Sequence, residues 1–124
     1  MLPLGTKLID FNLPNTISNQ NFDSSNLVAN KPILLMIICN HCPYVIHYHD
    51  ELKRLHKDYS ESLIFVAISS NDVVNYPEDS PEKMKELWTE LNFTFPYLHD
   101  ETQEIAKAYQ AECTPEFYLF SSDQ

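Results

Sequence analysis

Glycine and cysteine are both scarce in this chain of 124 residues, which has one glycine, Gly5, and three cysteines. With so little glycine, the turns must rely on Asn, Asp and Ser side chains and on the eight prolines. A small and odd number of cysteines argues against the disulfide framework that stabilises many small secreted proteins. We therefore expect a cytoplasmic protein.

Basic residues are also few: 8 Lys and Arg oppose 18 Asp and Glu, and the formal net charge is −10. A negative field of this kind repels nucleic acids and anionic membrane surfaces, so we expect neither as a partner. Long apolar runs are missing, and the longest run falls far short of a membrane span. Residues Met1 to Gly5 do not combine a basic stretch with an apolar one, so no signal peptide is predicted.

The sequence does contain enough apolar material for one packed domain. Apolar residues make up 44% of the chain and aromatic residues 12%. A chain of this length can bury a sizeable core as a single unit. There is no internal repeat, linker or low-complexity tract, so residues 1–124 are predicted to form one domain.

Apolar runs alternate with amphipathic segments in the first half of the chain. Ile33 to Ile38 is apolar throughout, which is typical of a strand inside a sheet that helices cover on both faces. From Pro43 to Tyr59 the apolar residues recur three and four positions apart, which predicts a helix. Leu63 to Ile68 predicts a second buried strand.

The second half continues this alternation. A helix is predicted to start at Ser80-Pro81, with the serine as its cap and the proline in its first turn. Phe93 to Leu98 is a candidate short strand, Glu101 to Ala111 a helix, and Phe117 to Phe120 the last strand. This order of elements predicts an α/β layered fold with a largely parallel sheet.

The segment Cys39-Asn40-His41-Cys42 lies between the first core strand and the helix that follows it. The backbone N–H groups and the dipole of a helix N-terminus stabilise thiolate over thiol. Because thiolate is the reactive form, this placement predicts a thiol–disulfide redox site. We expect the first cysteine of such a turn to be the more exposed, and the second to be sheltered one turn into the helix.

A second segment, Cys113-Thr114-Pro115, precedes the last predicted strand. Proline is tolerated at the first residue of a strand. A cis Thr114–Pro115 bond would force a tight kink there and expose backbone groups of Thr114. An exposed strand edge beside a reactive sulfur suits an extended peptide that carries a disulfide.

Four segments carry a resemblance that spans nearly the whole chain: Gly5-Thr6-Lys7-Leu8-Ile9-Asp10-Phe11-Asn12-Leu13-Pro14, Ile38-Cys39-Asn40-His41-Cys42-Pro43-Tyr44-Val45, Tyr76-Pro77-Glu78-Asp79-Ser80-Pro81 and Cys113-Thr114-Pro115-Glu116-Phe117. Together they are similar to the thioredoxin fold, and within it to the redoxin branch that includes AhpC/TSA-type peroxiredoxins. They resemble most a bacterial subgroup usually described only as thioredoxin family proteins. The resemblance implies a three-layer α/β/α domain with an N-terminal redoxin extension.

The resemblance also implies a role for each residue of the two motifs. Cys39 would be the nucleophile that attacks a partner disulfide, and Cys42 would resolve the mixed disulfide. Pro115 would be a cis proline facing the pair, while Thr114 and Asn40 would contact the substrate. No metal or organic cofactor is then expected, because electrons pass through the redox-active Cys39–Cys42 disulfide. The implied partners are a disulfide-bearing protein or small molecule and an external dithiol reductant.

His41 gives the motif a form that resembles the Cys-x-His-Cys of protein disulfide isomerases and of periplasmic dithiol oxidases. A partly charged imidazole near Cys39 favours thiolate and thereby stabilises the reduced form. We therefore expect a reduction potential above that of thioredoxin, which is roughly −270 mV. The remaining histidines are interpreted as solvated helix or loop residues: His47, His49, His56 and His99.

The sequence departs from the thioredoxin pattern in three places. Ile33 stands where thioredoxins carry a buried aspartate, so proton transfer to Cys42 needs another route. Ile38 stands where an aromatic residue usually precedes the first cysteine. After Phe120 the sequence does not continue into the last strand and C-terminal helix of thioredoxin folds. We therefore expect a C-terminally truncated form, or a short form that self-associates through an exposed sheet edge.

A peroxiredoxin-like thiol peroxidase with antioxidant activity is the main enzymatic alternative. In peroxiredoxins the attacking cysteine aligns with Cys42, a threonine aligns with Cys39, and an arginine from a later strand activates the peroxide. The only arginine in this sequence is Arg54. It lies about twelve residues into the helix after Cys42, which is roughly 18 Å of helical rise. The peroxidase interpretation is therefore the weaker of the two.

Three further interpretations stay open. The two cysteines of the first motif could be half of a zinc site that Cys113 and a histidine complete. A copper chaperone of the redoxin branch would use two cysteines and a distant histidine, although with wider cysteine spacing. The domain could also be a non-catalytic binding module. Cys113 itself is interpreted as a small buried apolar residue or as an accessory thiol.

Overall fold

A central sheet flanked by helices organises the computed structural model, which describes residues 5–27, 31–40, 46–70, 77–110 and 116–120. The strands are β1 (Asn12–Asn15), β2 (Gln20–Asp23), β3 (Ile33–Ile37), β4 (Ile64–Ser69), β5 (Tyr97–His99) and β6 (Glu116–Phe120). The helices are α1 (His49–Tyr59), α2 (Pro81–Leu91) and α3 (Glu104–Ala108). Each predicted core strand and helix is present with somewhat different ends. None of these described helices is long and apolar enough to cross a membrane.

The strands lie in the order β2-β1-β5-β4-β3-β6. β3, β4 and β5 are parallel, with Leu35 opposite Val66 and Ile68 opposite Leu98. β1 pairs antiparallel with both β2 and β5, and β6 pairs antiparallel with β3. The prediction of a largely parallel sheet is therefore wrong: the sheet is mixed, and only its central strands are parallel.

β1 and β2 form an antiparallel hairpin, and its turn uses asparagine where glycine is common. Asn19 lies between β1 and β2 with a φ of 60°, and its N–H donates to the carbonyl oxygen of Asn15 at 2.9 Å. Asparagine adopts this left-handed conformation more readily than most side chains. So short a turn joins antiparallel strands, whereas α1 and α2 supply the crossovers that the parallel strands need.

β3 contributes buried side chains to both faces of the sheet, which explains its uninterrupted apolar sequence. On one face Met36 belongs to a cluster with Leu52 of α1 and Trp88 of α2. On the other face Leu35 belongs to a cluster with Tyr109, at the end of α3. Helices therefore cover both faces, and the predicted three-layer thioredoxin-like architecture is confirmed.

Ser80 begins α2 as predicted. Its Oγ accepts a 3.4 Å hydrogen bond from the N–H of Lys83, and Pro81 occupies the first turn. The helix ends at Asn92, which takes a left-handed φ of 59°. A single 3-10 turn, Pro77–Asp79, leads directly into this cap, and the N–H of Ser80 donates to its first carbonyl at 3.1 Å. The start of α2 therefore fixes the position of that turn.

β6 ends the strand order and lies beside β3. Its side chains alternate: Tyr118 and Phe120 pack into the core, whereas Leu119 is 68% exposed and Phe117 is 38% exposed. In the described part of the chain, β6 is therefore an edge strand with one apolar side in contact with solvent.

Candidate active site

The carboxyl ends of β3, β4 and β5 meet at one edge of the sheet because these strands are parallel. Cys39 follows β3 at this edge, next to Ile38, whose N–H donates to the carbonyl oxygen of Ile68 at 2.9 Å. The ends of β4 and β5 bring Ser70 and Asp100 to the same edge. Polar side chains from neighbouring strand ends are thus collected near the first cysteine of the predicted motif.

Cys39 is buried, with only 1% of its surface exposed. We expect it to be the more exposed of the two cysteines in its motif, and this comparison stays a prediction. Cys39 is enclosed because every residue of β3 is buried between two helical layers, and the chain directly after it is still inside the protein. Cys39 is therefore sheltered from solvent. The expected contrast with Cys42 concerns a residue outside the described ranges.

Asn40 is held by three hydrogen bonds to other parts of the fold. Its backbone N–H donates to Oδ1 of Asp79 at 2.7 Å, and its Nδ2 donates to the carbonyl oxygen of Glu78 at 2.8 Å. Its Oδ1 accepts from the hydroxyl of Tyr97 at 2.9 Å. Both polar ends of the side chain are thus used inside the protein. Its predicted contact with substrate stays a prediction.

Asp79 is the residue of this site that the sequence analysis missed. It ends the 3-10 turn before α2 and is fully buried. A buried carboxylate is costly unless it is hydrogen-bonded, and the N–H of Asn40 meets this need. The sequence offered one signal, since Asp79 lies within the Tyr76-to-Pro81 segment that carries the resemblance.

Tyr97, on β5, contacts the residue that follows Cys39. Burial raises its pKa well above the ordinary tyrosine value, and the nearby charges of Cys39 and Asp79 raise it further. The hydroxyl therefore stays protonated and donates to Asn40. Trp88 stacks on the phenol ring with centroids 3.9 Å apart, which fixes its orientation.

Asp100 organises the neighbouring end of β5. Its Oδ2 accepts hydrogen bonds from Ser70 Oγ at 2.7 Å, from Ile105 N at 3.1 Å and from Ala106 N at 3.0 Å. Two of these donors belong to the first turn of α3, so Asp100 acts as its cap. This contact fixes α3 against the sheet near the site.

Three histidines are not the solvated residues that we predicted, because His49 on α1 is also half-buried, with its Nε2 atom enclosed. His99 is buried at the end of β5, because that strand lies inside the sheet. His56, on α1, packs against the rings of Phe65, Phe93 and Phe95, with centroids 5.0–5.6 Å apart. Burial lowers the pKa of His56 below the ordinary histidine value.

The other predicted site residues lie outside the described ranges: His41, Cys42, Cys113, Thr114 and Pro115. The register nevertheless relates the two motifs, because Glu116 at the start of β6 lies opposite Ile37 at the end of β3. The proline motif thus precedes the strand that pairs with the cysteine strand. The zinc and copper alternatives also depend on residues in this set.

Arg54 has no part in this site. It lies on the exposed surface of α1, where its guanidinium forms a 2.5 Å ion pair with the carboxylate of Glu51, one turn earlier. The side chains of both residues are mostly exposed. The arginine that a peroxidase needs to activate peroxide is therefore not supplied by Arg54.

Two solved structures are very similar to this chain. An uncharacterized conserved protein from Geobacillus kaustophilus has a TM-score of 0.93 at 50% identity, and the match covers 99% of this chain and 66% of that one. A hypothetical protein from Sinorhizobium meliloti 1021 has a TM-score of 0.92 at 35% identity, with 99% and 67% coverage. This chain thus spans about two thirds of the length of both structures.

A more distant structure shares the fold. It is a secreted Mycobacterium tuberculosis disulfide oxidoreductase homologous to E. coli DsbE, with a TM-score of 0.75 at 21% identity, and the match covers 91% of this chain and 77% of that one. The comparison with curated proteins gave no match. A sequence profile of the AhpC/TSA family matches residues 4–124. The chain therefore belongs to the AhpC/TSA family and has a thioredoxin-like fold.

Proposed function

We propose that this protein is a thiol–disulfide oxidoreductase whose reacting pair is Cys39 and Cys42. The observation that carries the proposal is the position of Cys39, which follows a central buried strand and precedes a residue held by three hydrogen bonds. Membership of the AhpC/TSA family agrees with thiol redox chemistry at this position. The distant secreted disulfide oxidoreductase adds support at the level of the fold.

In the proposed reaction, the Cys39 thiolate attacks one sulfur of a substrate disulfide. The substrate S–S bond breaks, a mixed disulfide forms, and the departing sulfur takes up a proton. Cys42 then attacks the sulfur of Cys39, and its proton passes to the second substrate sulfur as that sulfur leaves. The substrate gains two electrons, and the protein is left with a Cys39–Cys42 disulfide. An external dithiol reductant returns the two electrons.

The hydrogen bonds around Asn40 favour the second step. Asn40 lies between the two cysteines in sequence, and both its backbone and its side chain are fixed. Fixing this residue limits the conformations of the chain that joins the two sulfurs. Less conformational entropy is then lost when Cys42 displaces the substrate.

We assign the remaining roles as the resemblance implies them. His41 favours the thiolate of Cys39, and Thr114 and Pro115 hold an extended substrate segment. The pairing of β6 with β3 supports the second assignment, because the proline motif leads into the strand beside Cys39. The partners are disulfide-bearing proteins or small molecules, and we propose self-association through β6, which is the edge strand of the sheet in the described part of the chain. We propose a cytoplasmic location.

Insulin reduction tests this function. With a dithiol as the electron source, the wild-type protein should accelerate insulin reduction, and Cys39→Ser should abolish the acceleration. Cys113→Ser is the matched control, because it removes the cysteine that is not part of the reacting pair and should retain most of the activity. Full activity in Cys39→Ser, or none in the wild type, would contradict the proposal. Consumption of hydrogen peroxide without insulin reduction would favour the peroxidase alternative.

A further inference from the structure

Asp79 brings a carboxylate into a part of the protein that water does not reach. It has no exposed surface. Asp79 belongs to the turn before α2. It therefore differs in position from the buried aspartate of thioredoxins, which would lie on β3 where this chain has Ile33. A charge in such surroundings acts more strongly on its neighbours than an exposed charge does, because little solvent screens it.

The contact with Asn40 places this carboxylate next to the reacting cysteine. Oδ1 of Asp79 lies 2.7 Å from the backbone nitrogen of Asn40, and that nitrogen is bonded to the carbonyl carbon of Cys39. The side-chain Nδ2 of Asn40 donates to the carbonyl oxygen of Glu78, the residue before Asp79, at 2.8 Å. Two consecutive residues of the turn therefore hold the chain directly after Cys39.

The buried hydroxyl of Tyr97 is a third group of this site. The charges of Cys39 and Asp79 both act on its buried hydroxyl, and both raise its pKa, although burial is the larger cause. The phenol touches Asn40 as well. The thiol, the carboxylate and the phenol are thus close neighbours around Asn40.

We propose that Asp79 is a positioning residue of the redox centre, which fixes the backbone after Cys39 and whose negative charge opposes formation of the Cys39 thiolate. This inference rests on the proposed function only in taking Cys39 as the reacting sulfur. A negative charge beside a thiol disfavours its ionised form. Asp79 therefore counteracts the helix N-terminus and His41, and it makes the oxidised pair a weaker oxidant.

Few other titratable groups meet the described part of this site. β5 contributes Tyr97, which is neutral, and then His99 and Asp100 at its end. Asp100 is engaged with Ser70 and with α3. β4 contributes serine side chains, which carry no charge. Among the described carboxylates, Asp79 is thus the one that accepts a hydrogen bond from the residue after Cys39.

The test is the pKa of Cys39, measured from the ultraviolet absorbance of its thiolate. It uses the Cys42→Ser, Cys113→Ser background, in which Cys39 is the sole cysteine. Asp79→Asn keeps an oxygen that accepts from Asn40 but removes the charge, so the pKa of Cys39 should fall by about one unit. Glu78→Gln is the matched control, because it removes one charge from the adjacent exposed side chain and leaves the carbonyl contact in place. It should leave the pKa of Cys39 unchanged.

An unchanged Cys39 pKa in folded Asp79→Asn would overturn the inference, and so would an equal shift in Glu78→Gln. If Asp79→Asn does not fold, an NMR titration of the wild-type protein tests the inference instead. The carboxyl carbon of Asp79 should then show a step at the pH where Cys39 ionises, and Cys39→Ala should remove it. A missing step overturns the inference. Neither measurement depends on catalytic turnover. The inference about Asp79 can therefore hold if the protein does not reduce insulin, and it can fail if the protein does reduce insulin.

Discussion

The backbone N–H of Asn40 donates a 2.7 Å hydrogen bond to the buried carboxylate of Asp79, 39 residues later in the chain. This bond joins the residue after Cys39, the proposed reacting cysteine, to the turn that leads into α2. Local sequence patterns do not encode such a contact, because they relate residues only a few positions apart. The geometry of the proposed site therefore depends on how α2 docks on the sheet.

Replacing Asn40 with Ala should destabilise the protein and slow insulin reduction. The change removes the contacts of the side chain with Glu78 and Tyr97, and it leaves the buried hydroxyl of Tyr97 without its acceptor. The free energy of unfolding should fall by about 1–3 kcal/mol. Urea unfolding measures the loss. Asn21→Ala, on the exposed part of β2, is the control and should change neither quantity.

The protein should lose stability as the pH rises above about 10, the ordinary tyrosine pKa. Tyr97 and Tyr109 both have raised pKa values, chiefly because of burial, so the folded state keeps protons that the unfolded state releases. Stability from this source is complete below the pKa of the unfolded chain and is lost as the pH climbs toward that of the folded state. Urea unfolding across this range measures the slope.

Tyr97→Phe should make that alkaline slope shallower, because it removes one of the two protons involved. The control is Tyr59→Phe, since Tyr59 lies on the surface of α1 with 48% of its surface exposed. A slope that is equally steep in wild type and Tyr97→Phe would show that Tyr97 ionises normally in the folded protein.

Acid should destabilise the protein through His56. Burial among aromatic rings lowers its pKa, so the unfolded chain binds a proton more tightly than the folded one. The stability from this source is present above the unfolded pKa of about 6.5 and is lost as the pH falls through the lower folded value. NMR titration should place the folded pKa of His56 below the ordinary histidine value of about 6.5. A folded pKa at or above that value would show that the aromatic packing of His56 has no electrostatic consequence.

Removing the cap of α3 should loosen the end of the sheet. Asp100→Ala deletes the acceptor of three hydrogen bonds, two of them from the first turn of the helix. We expect the free energy of unfolding to fall by about 1–3 kcal/mol. Asp58→Ala, at an exposed position of α1, serves as the control for loss of an aspartate. Equal stability of the two variants would show that the cap contributes little.

The sequence predicts the buried elements of this fold well, because their signals are local. The apolar runs of β3 and β4 need only their own residues to be recognised, and the cap at Ser80 is a short-range pattern. Strand direction is different. The antiparallel pairing of β1 with β2 depends on a turn at Asn19, and in a glycine-poor sequence that turn carries no strong signal.

The site was predictable only in part for a related reason. The cysteine motif is a short pattern at a strand end, so it could be found by spacing alone. The burial of Asp79 and of His99 arises from long-range packing, since one is enclosed beside Asn40 and the other ends a central strand. Polar residues in loops and at strand ends are normally exposed, and the sequence alone did not distinguish these two.

The most direct test of the redox pair is a titration of the protein in glutathione buffers, with its disulfides mapped by mass spectrometry. We predict a single intramolecular disulfide between Cys39 and Cys42, with a midpoint potential above the thioredoxin value of roughly −270 mV. A midpoint at or below that value would show that His41 does not raise the potential above that of thioredoxin against the opposing charge of Asp79. If Cys39 and Cys42 form no disulfide with each other in any buffer, the proposed oxidoreductase function is contradicted.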